Sequence, residues 1–148
     1  MIPSPDIRLL SEPDSELLDA LGTMRSTHGF EDLVVPWCLL VRDSSRGRVQ
    51  LLWFVVSQGV DVRAVGLVHI VRGLAIGDYV GGALERLTAL GRRVGYVPLT
   101  VDVAYLEVPH CNREGIFFRA DVDAVERAAI TRAVVDRLDR DLPADALC

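Results

Sequence analysis

Apolar positions recur along this chain with two different periods, and the switches between them outline its elements. "DIRLL" (6–10) predicts a short first strand. In "SEPDSELLDALGTM" (11–24), Leu17, Leu18, Leu21 and Met24 share one helical face. Ser11 can cap that helix, Pro13 is tolerated in its first turn, and Asp14 and Glu16 suit the positive end of its dipole. "STHGFED" (26–32) reads as loop. Three strands are expected next. "VPWCLLVRD" (35–43) turns at "SSRGR" and returns as "VQLLWFVVS" (49–57). A second turn at "QGVD" leads into "VRAVGLVHIV" (62–71). The third of these puts Val62, Ala64, Val68 and Ile70 on one face, and Val65, Leu67, His69 and Val71 on the other. Both faces are apolar, as in a central, covered strand.

Beyond Asp78 the period becomes helical again. Val80, Ala83, Leu84, Leu87 and Leu90 share a face, with Asp78 as cap and Gly91 as stop. "YVPLTVDVAYLEVPH" (96–110) predicts a long strand, with Leu99, Val101, Val103 and Tyr105 on one side and Thr100, Asp102 and Ala104 on the other. "CNREG" is a turn and "IFFRAD" (116–121) the return strand. In the last helix Asp123 and Glu126 have capping-box spacing. Ala128, Thr131, Val134, Val135, Leu138 and Leu142 form its apolar stripe. Asp136 and Arg140 stand at the favourable i,i+4 spacing, and Pro143 stops the helix. The order predicts an α+β fold in one domain over 1–148: a single antiparallel sheet packed by helices, β-α-β-β-β-α-β-β-α.

The 148 residues are half apolar, with mean hydropathy +0.27, and carry a net charge of -5 at a pI of about 5.1. An acidic chain without a basic cluster points away from nucleic acid and from anionic membrane surfaces. So much apolar surface in a short chain suggests burial in a homodimer or against a partner. All 16 basic side chains are arginine, which excludes a lysine Schiff base or lysine nucleophile. Cys38, Cys111 and Cys148 are odd in number and widely spaced, unlike a disulfide framework or zinc site. A reduced, cytoplasmic protein is the expectation. No signal peptide is read at the N-terminus, and the run "LLWFVV" is too short to span a bilayer.

Among candidate chemical groups, His69 on an apolar strand reads as a satisfied core histidine, and His28 lies in a loop. The three histidines lack metal-ligand spacing. His110 and Cys111, beside Arg113, point opposite ways on an extended chain, which does not suit a base and its nucleophile. Asp102 and Glu107 occupy opposite faces of a strand, so they are not an acid–base pair. Trp37, Trp53 and Phe54 either line a pocket or fill the core.

"RGLAIG" (72–77) follows a strand and opens a helix. Glycines there let backbone N–H groups approach a phosphate at a helix N-terminus, or allow a tight turn and close helix packing. Arg72-Gly73-Leu74-Ala75-Ile76-Gly77 resembles the acyl-CoA pyrophosphate loop of the GNAT N-acyltransferases, R/Q-x-x-G-x-G/A, with Ala75 where that family prefers glycine. "LEVPHCN" then "REGIFF" is similar to that family's fifth strand and the apolar turn after it. The resemblance covers roughly residues 60 to 118. It implies that Arg72, Gly73, Ala75 and Gly77 hold acetyl-CoA or another acyl-CoA, with Glu107 or a bound water as base.

A second resemblance lies in element order. A helix, three strands, a helix, a hairpin and a long closing helix, ending in "GIFFRADVDAVERAAITRAVVDRLDRDLP", resemble the type III secretion chaperone-like superfamily, including YbjN-type proteins. It implies a small, dimeric, non-enzymatic module without cofactor that holds a polypeptide partner on its sheet face or in an apolar groove. Thr100 and Asp102 would lie on that sheet face.

Overall fold

Asp14, rather than Ser11, starts the first helix. Its carboxylate accepts the N–H of Leu17 at 2.9 Å, which leaves Ser11 and Pro13 outside. The computed structural model describes residues 5–24, 31–97, 99–111, 113–142 and 146–147. In chain order the elements are β1 (Asp6–Leu10), α1 (Ser15–Thr23), α2 (Glu31–Ser44), β2 (Val49–Gln58), β3 (Asp61–Ala75), α3 (Gly77–Val80), α4 (Gly82–Arg93), β4 (Thr100–Tyr105), β5 (Glu107–Val108), β6 (Arg113–Glu114), β7 (Ile116–Phe118), α5 (Ala124–Asp141) and β8 (Ala146–Leu147). The class is α+β, as the periodicity predicts.

The largest correction is α2, expected as loop and strand. Its run is apolar on nearly every side, and such a run does not distinguish a buried strand from a helix by period alone. As a helix it turns Val34, Cys38 and Val41 inward, despite Pro36, which removes one backbone hydrogen bond.

The main sheet has the order β1-β2-β3-β4-β8, with β7 also on β3. Its pairs are antiparallel except β4 with β8, and β5 and β6 form a separate two-stranded ladder. Strand alternation sends Leu51, Trp53, Val55, Val65 and Leu67 to one face, under α1 and α2. Phe54, Val56, Ala64, Val68 and Ile70 face the other way, against Ile130, Val134 and Leu138 of α5. The sheet is therefore the middle of three layers, with its two faces covered by separate hydrophobic clusters.

A β-bulge corrects the expected position of Val62. Val56 pairs with Ala64 while Ser57 pairs with Val62, so Arg63 is the extra residue. Val62 is thereby switched to the α1–α2 side. The Arg63 guanidinium makes two 2.7 Å bonds to the Glu126 carboxylate and one of 3.0 Å to Asp121. Asp123 caps α5 as expected, accepting the Glu126 N–H at 2.8 Å, but the Glu126 side chain serves Arg63 instead of closing the capping box.

β4 and β7 are two halves of one edge. Along β3, Tyr105 stands opposite His69 and Ile116 opposite Gly66. Between them residues 106–111 and 113–115 lie off the main sheet, and the Gly115 N–H donates to the Leu106 carbonyl at 3.1 Å. This excursion reaches over the α1–α2 side, where Val108 is fully buried.

Several helical stripes differ from expectation. In α1, Ala20 is buried and Leu18 exposed. In α5, Ile130 replaces Ala128 and Val135 in the buried stripe, and the partner of Asp141 is Arg137. Arg140 donates to the Asp136 backbone carbonyl instead of its carboxylate. Gly91 does not stop α4, which runs on to Arg93, and Asp78 lies within α3 without a capping bond.

Candidate functional site

Arg72, Gly73 and Ala75 belong to a strand. β3 runs to Ala75, and its last turn of register is a bulge between Val71, opposite Val103, and Leu74, opposite Val101. Gly73 makes the bulge possible with φ of +66°, a left-handed value that side chains disfavour. Its N–H donates to Asp102 Oδ1 at 2.9 Å. The Arg72 N–H donates to the Arg48 carbonyl at 2.8 Å, and its guanidinium to Gln50 Oε1 at 2.7 Å. Ala75 pairs with Thr100, and the Ile76 N–H donates to the Leu99 carbonyl at 3.0 Å. Three amides of the motif are thus engaged within the chain. A phosphate at Gly73 would also meet the Asp102 carboxylate, a like charge.

Gly77 has a different role. A Cβ there would lie 2.1 Å from Thr88 Oγ1 and 2.5 Å from the Leu84 carbonyl oxygen. Its bare backbone is what lets α3 and α4 pack together.

The other sequence candidates are dispersed. The His69 ring is buried, its Nδ1 donates to the Glu107 carbonyl at 3.0 Å, and it stacks on Tyr105 with centroids 5.0 Å apart. Burial holds its pKa below the ordinary histidine value, more than the Glu107 carbonyl raises it. Glu107 is tied to this position by its backbone, and Asp102 sits at the bulge. His110 takes a φ of +60° in a turn that the Cys111 N–H closes on the Val108 carbonyl. Burial pushes the Cys38 thiol up to about 12, so it stays protonated. Trp53 and Phe54 fill opposite clusters, while Trp37 is at the surface, donating to the Pro109 carbonyl at 2.8 Å. His28 and Cys148 lie outside the described residues. Among the described residues no group of three or more His, Cys, Asp or Glu is placed to hold a metal, and no helix is long and apolar enough to cross a membrane.

What the structure does bring together is bare apolar surface on two helices. Of the apolar face expected on α4, Leu84 turns inward while Leu87 and Leu90 point outward, 54% and 60% exposed, and Val94, just beyond the helix, is 75% exposed. Its inward side is Leu84, Thr88 and Gly91, packed chiefly on α3. No α4 residue belongs to either hydrophobic cluster of described residues. Arg86 and Arg93 flank the stripe on the side away from α3. Tyr96 and Leu99, past the helix end, are exposed as well.

The second surface is on α2, where Leu33 is 59% exposed, Trp37 37% and Leu40 61%. A helix apolar all round is normally buried all round. On the expected sheet face Thr100 is exposed at the start of β4 and Asp102 is bonded to Gly73, while the central strands β2 and β3 are covered on both sides. Reading 35–43 as a strand hid the α2 stripe. A helical reading of the same residues separates Leu33, Trp37 and Leu40 from Val34, Cys38 and Val41.

Compared with models of known protein families, with curated proteins and with solved structures, the chain matches none.

Proposed function

We propose that this protein is a polypeptide-binding module, an adaptor or chaperone-like protein whose working surface is helical. The observation that carries the reading is the α4 stripe. Leu87 and Leu90, on a helix that contributes to neither core, and Val94 just beyond its end are large aliphatic side chains left in water at spacings of three and four residues. Burying such a side chain is worth about 1.5–3 kcal/mol, so a folded chain gains by covering the stripe. Contiguous apolar surface on a helix is a common mode of recognition between polypeptides. Arg86 and Arg93 beside the stripe favour an occupant with acidic groups at its margin.

The acyltransferase reading keeps Arg72, Gly73, Ala75 and Gly77 as its cradle for acetyl-CoA. The engaged amides of Gly73 and Ile76 and the adjacent Asp102 carboxylate weigh against it.

The test is a photo-crosslinking amino acid placed at Leu90, with Ala129 on the exposed side of α5 as control. Irradiation in the source cells should give adducts of polypeptide mass from position 90 and not from 129. Equal yields at the two positions, or none at 90, remove the reading.

A further inference from the structure

We propose that the α4 stripe of one copy of this chain is covered by the α2 stripe of another, with the two helices antiparallel; this rests on the polypeptide-binding reading above. The first argument is spacing. Read forwards, α4 presents Leu87, Leu90 and Val94, at steps of three then four. Read backwards, α2 presents Leu40, Trp37 and Leu33, at the same steps. In an antiparallel pair Leu87 meets Leu40, Leu90 meets Trp37 and Val94 meets Leu33, so each exposed position finds an exposed position.

The second argument is charge. On α4 the stripe is flanked by Arg86 and Arg93. On α2 the flank of the same hand carries Asp43, whose side chain is 68% exposed and accepts Arg42 Nε at 3.0 Å from its own chain. Antiparallel helices bring flanks of the same hand together, which places Arg86 and Asp43 on a shared margin. Glu12 lies beside it, on the Arg42 guanidinium at 2.8 Å. The alternative self-pairing, α4 on α4, would set Arg86 against Arg93 across the two-fold axis, and like charges there oppose it. The third argument is that both stripes need an occupant, and one kind of contact covers both.

Light scattering and sedimentation on purified full-length protein test this. The wild-type chain should self-associate with a mass of two or more chains. Leu90→Asp removes the α4 side and Leu40→Asp the α2 side; both positions are exposed, and circular dichroism confirms the fold of each. Each variant alone should be monomeric at concentrations where wild type is assembled. Mixed one to one, they should regain a two-chain mass, because each brings the face that the other lacks. Arg86→Glu, which keeps the apolar stripe, should weaken assembly roughly tenfold and stands in if an aspartate variant fails to fold.

A monomeric wild type at millimolar concentration overturns the inference. So does loss of assembly in only one variant, or a mixture that stays monomeric. In each of these cases the Leu90 crosslink still decides whether α4 binds a different polypeptide, so the two proposals fail separately.

Discussion

The backbone N–H of Gly73 donates to the Asp102 carboxylate at 2.9 Å, across the second bulge of β3. This bond occupies the amide that a phosphate cradle would need and places a negative charge beside it. Free CoA and acetyl-CoA should therefore leave the melting temperature unchanged in a thermal-shift titration. A ligand at a hundred times its Kd would add about 2.7 kcal/mol, several degrees for a chain of this size. A saturating upward shift that Gly73→Val abolishes would restore the acyltransferase reading.

Gly77 is predicted to matter for packing. Gly77→Ala forces Thr88 Oγ1 and the Leu84 carbonyl away from a Cβ that would sit 2.1 and 2.5 Å from them. Overpacking of this kind costs about 1–3 kcal/mol. Urea unfolding should show a lower midpoint with an unchanged slope. A midpoint equal to wild type would mean that α3 and α4 are not held together as described.

Stability should decline in acid in two stages. His69 is held below its ordinary pKa by burial, so the unfolded chain binds a proton first and stability falls as pH drops below about 6.5. Glu126 and Asp121 are held below the carboxylate range, Glu126 chiefly by Arg63 and Asp121 by Arg119 and then Arg63. Their contribution is complete above the unfolded value, about 4, and is lost as pH falls through the depressed folded values. Melting temperatures from pH 7 to pH 2 should show both declines. Glu126→Gln should lower the melting temperature at neutral pH, with a gap to wild type that narrows in acid. A gap independent of pH would show that the ion pair does not supply the second stage.

Cys38 should resist alkylation. Its thiol is buried and pushed up to about 12, so almost no thiolate exists at pH 8 in the folded chain. Peptide mass spectrometry after iodoacetamide treatment should find it unmodified natively and fully modified in urea. Rapid native labelling at Cys38 would show that α2 leaves the sheet readily.

Much of the architecture is local in origin and therefore legible in the chain. The β2–β3 hairpin follows from two apolar, β-branched runs on either side of the turn at Gly59 and Val60, and α5 from its Asp123 cap and a helical period. These features are decided by neighbours a few residues apart. The two bulges in β3 are different. Nothing adjacent to Arg63 or Gly73 marks them, because each depends on a partner far along the chain, Glu126 or Asp102, and each moves the residues around it to new positions.

The sequence by itself determined the α+β class, most strands, the capping of the last helix and the amphipathic character of α4, since period and caps are short-range properties. It did not distinguish strand from helix in the apolar run of α2, where every face looks buried. It also did not say which way the apolar side of α4 points. Those choices belong to tertiary structure. Close contact of Gly77 with Thr88 turns α4 on its axis, and packing of Val34, Cys38 and Val41 on the sheet turns α2. Each rotation leaves a different apolar stripe in water, and on those two stripes the proposed function rests.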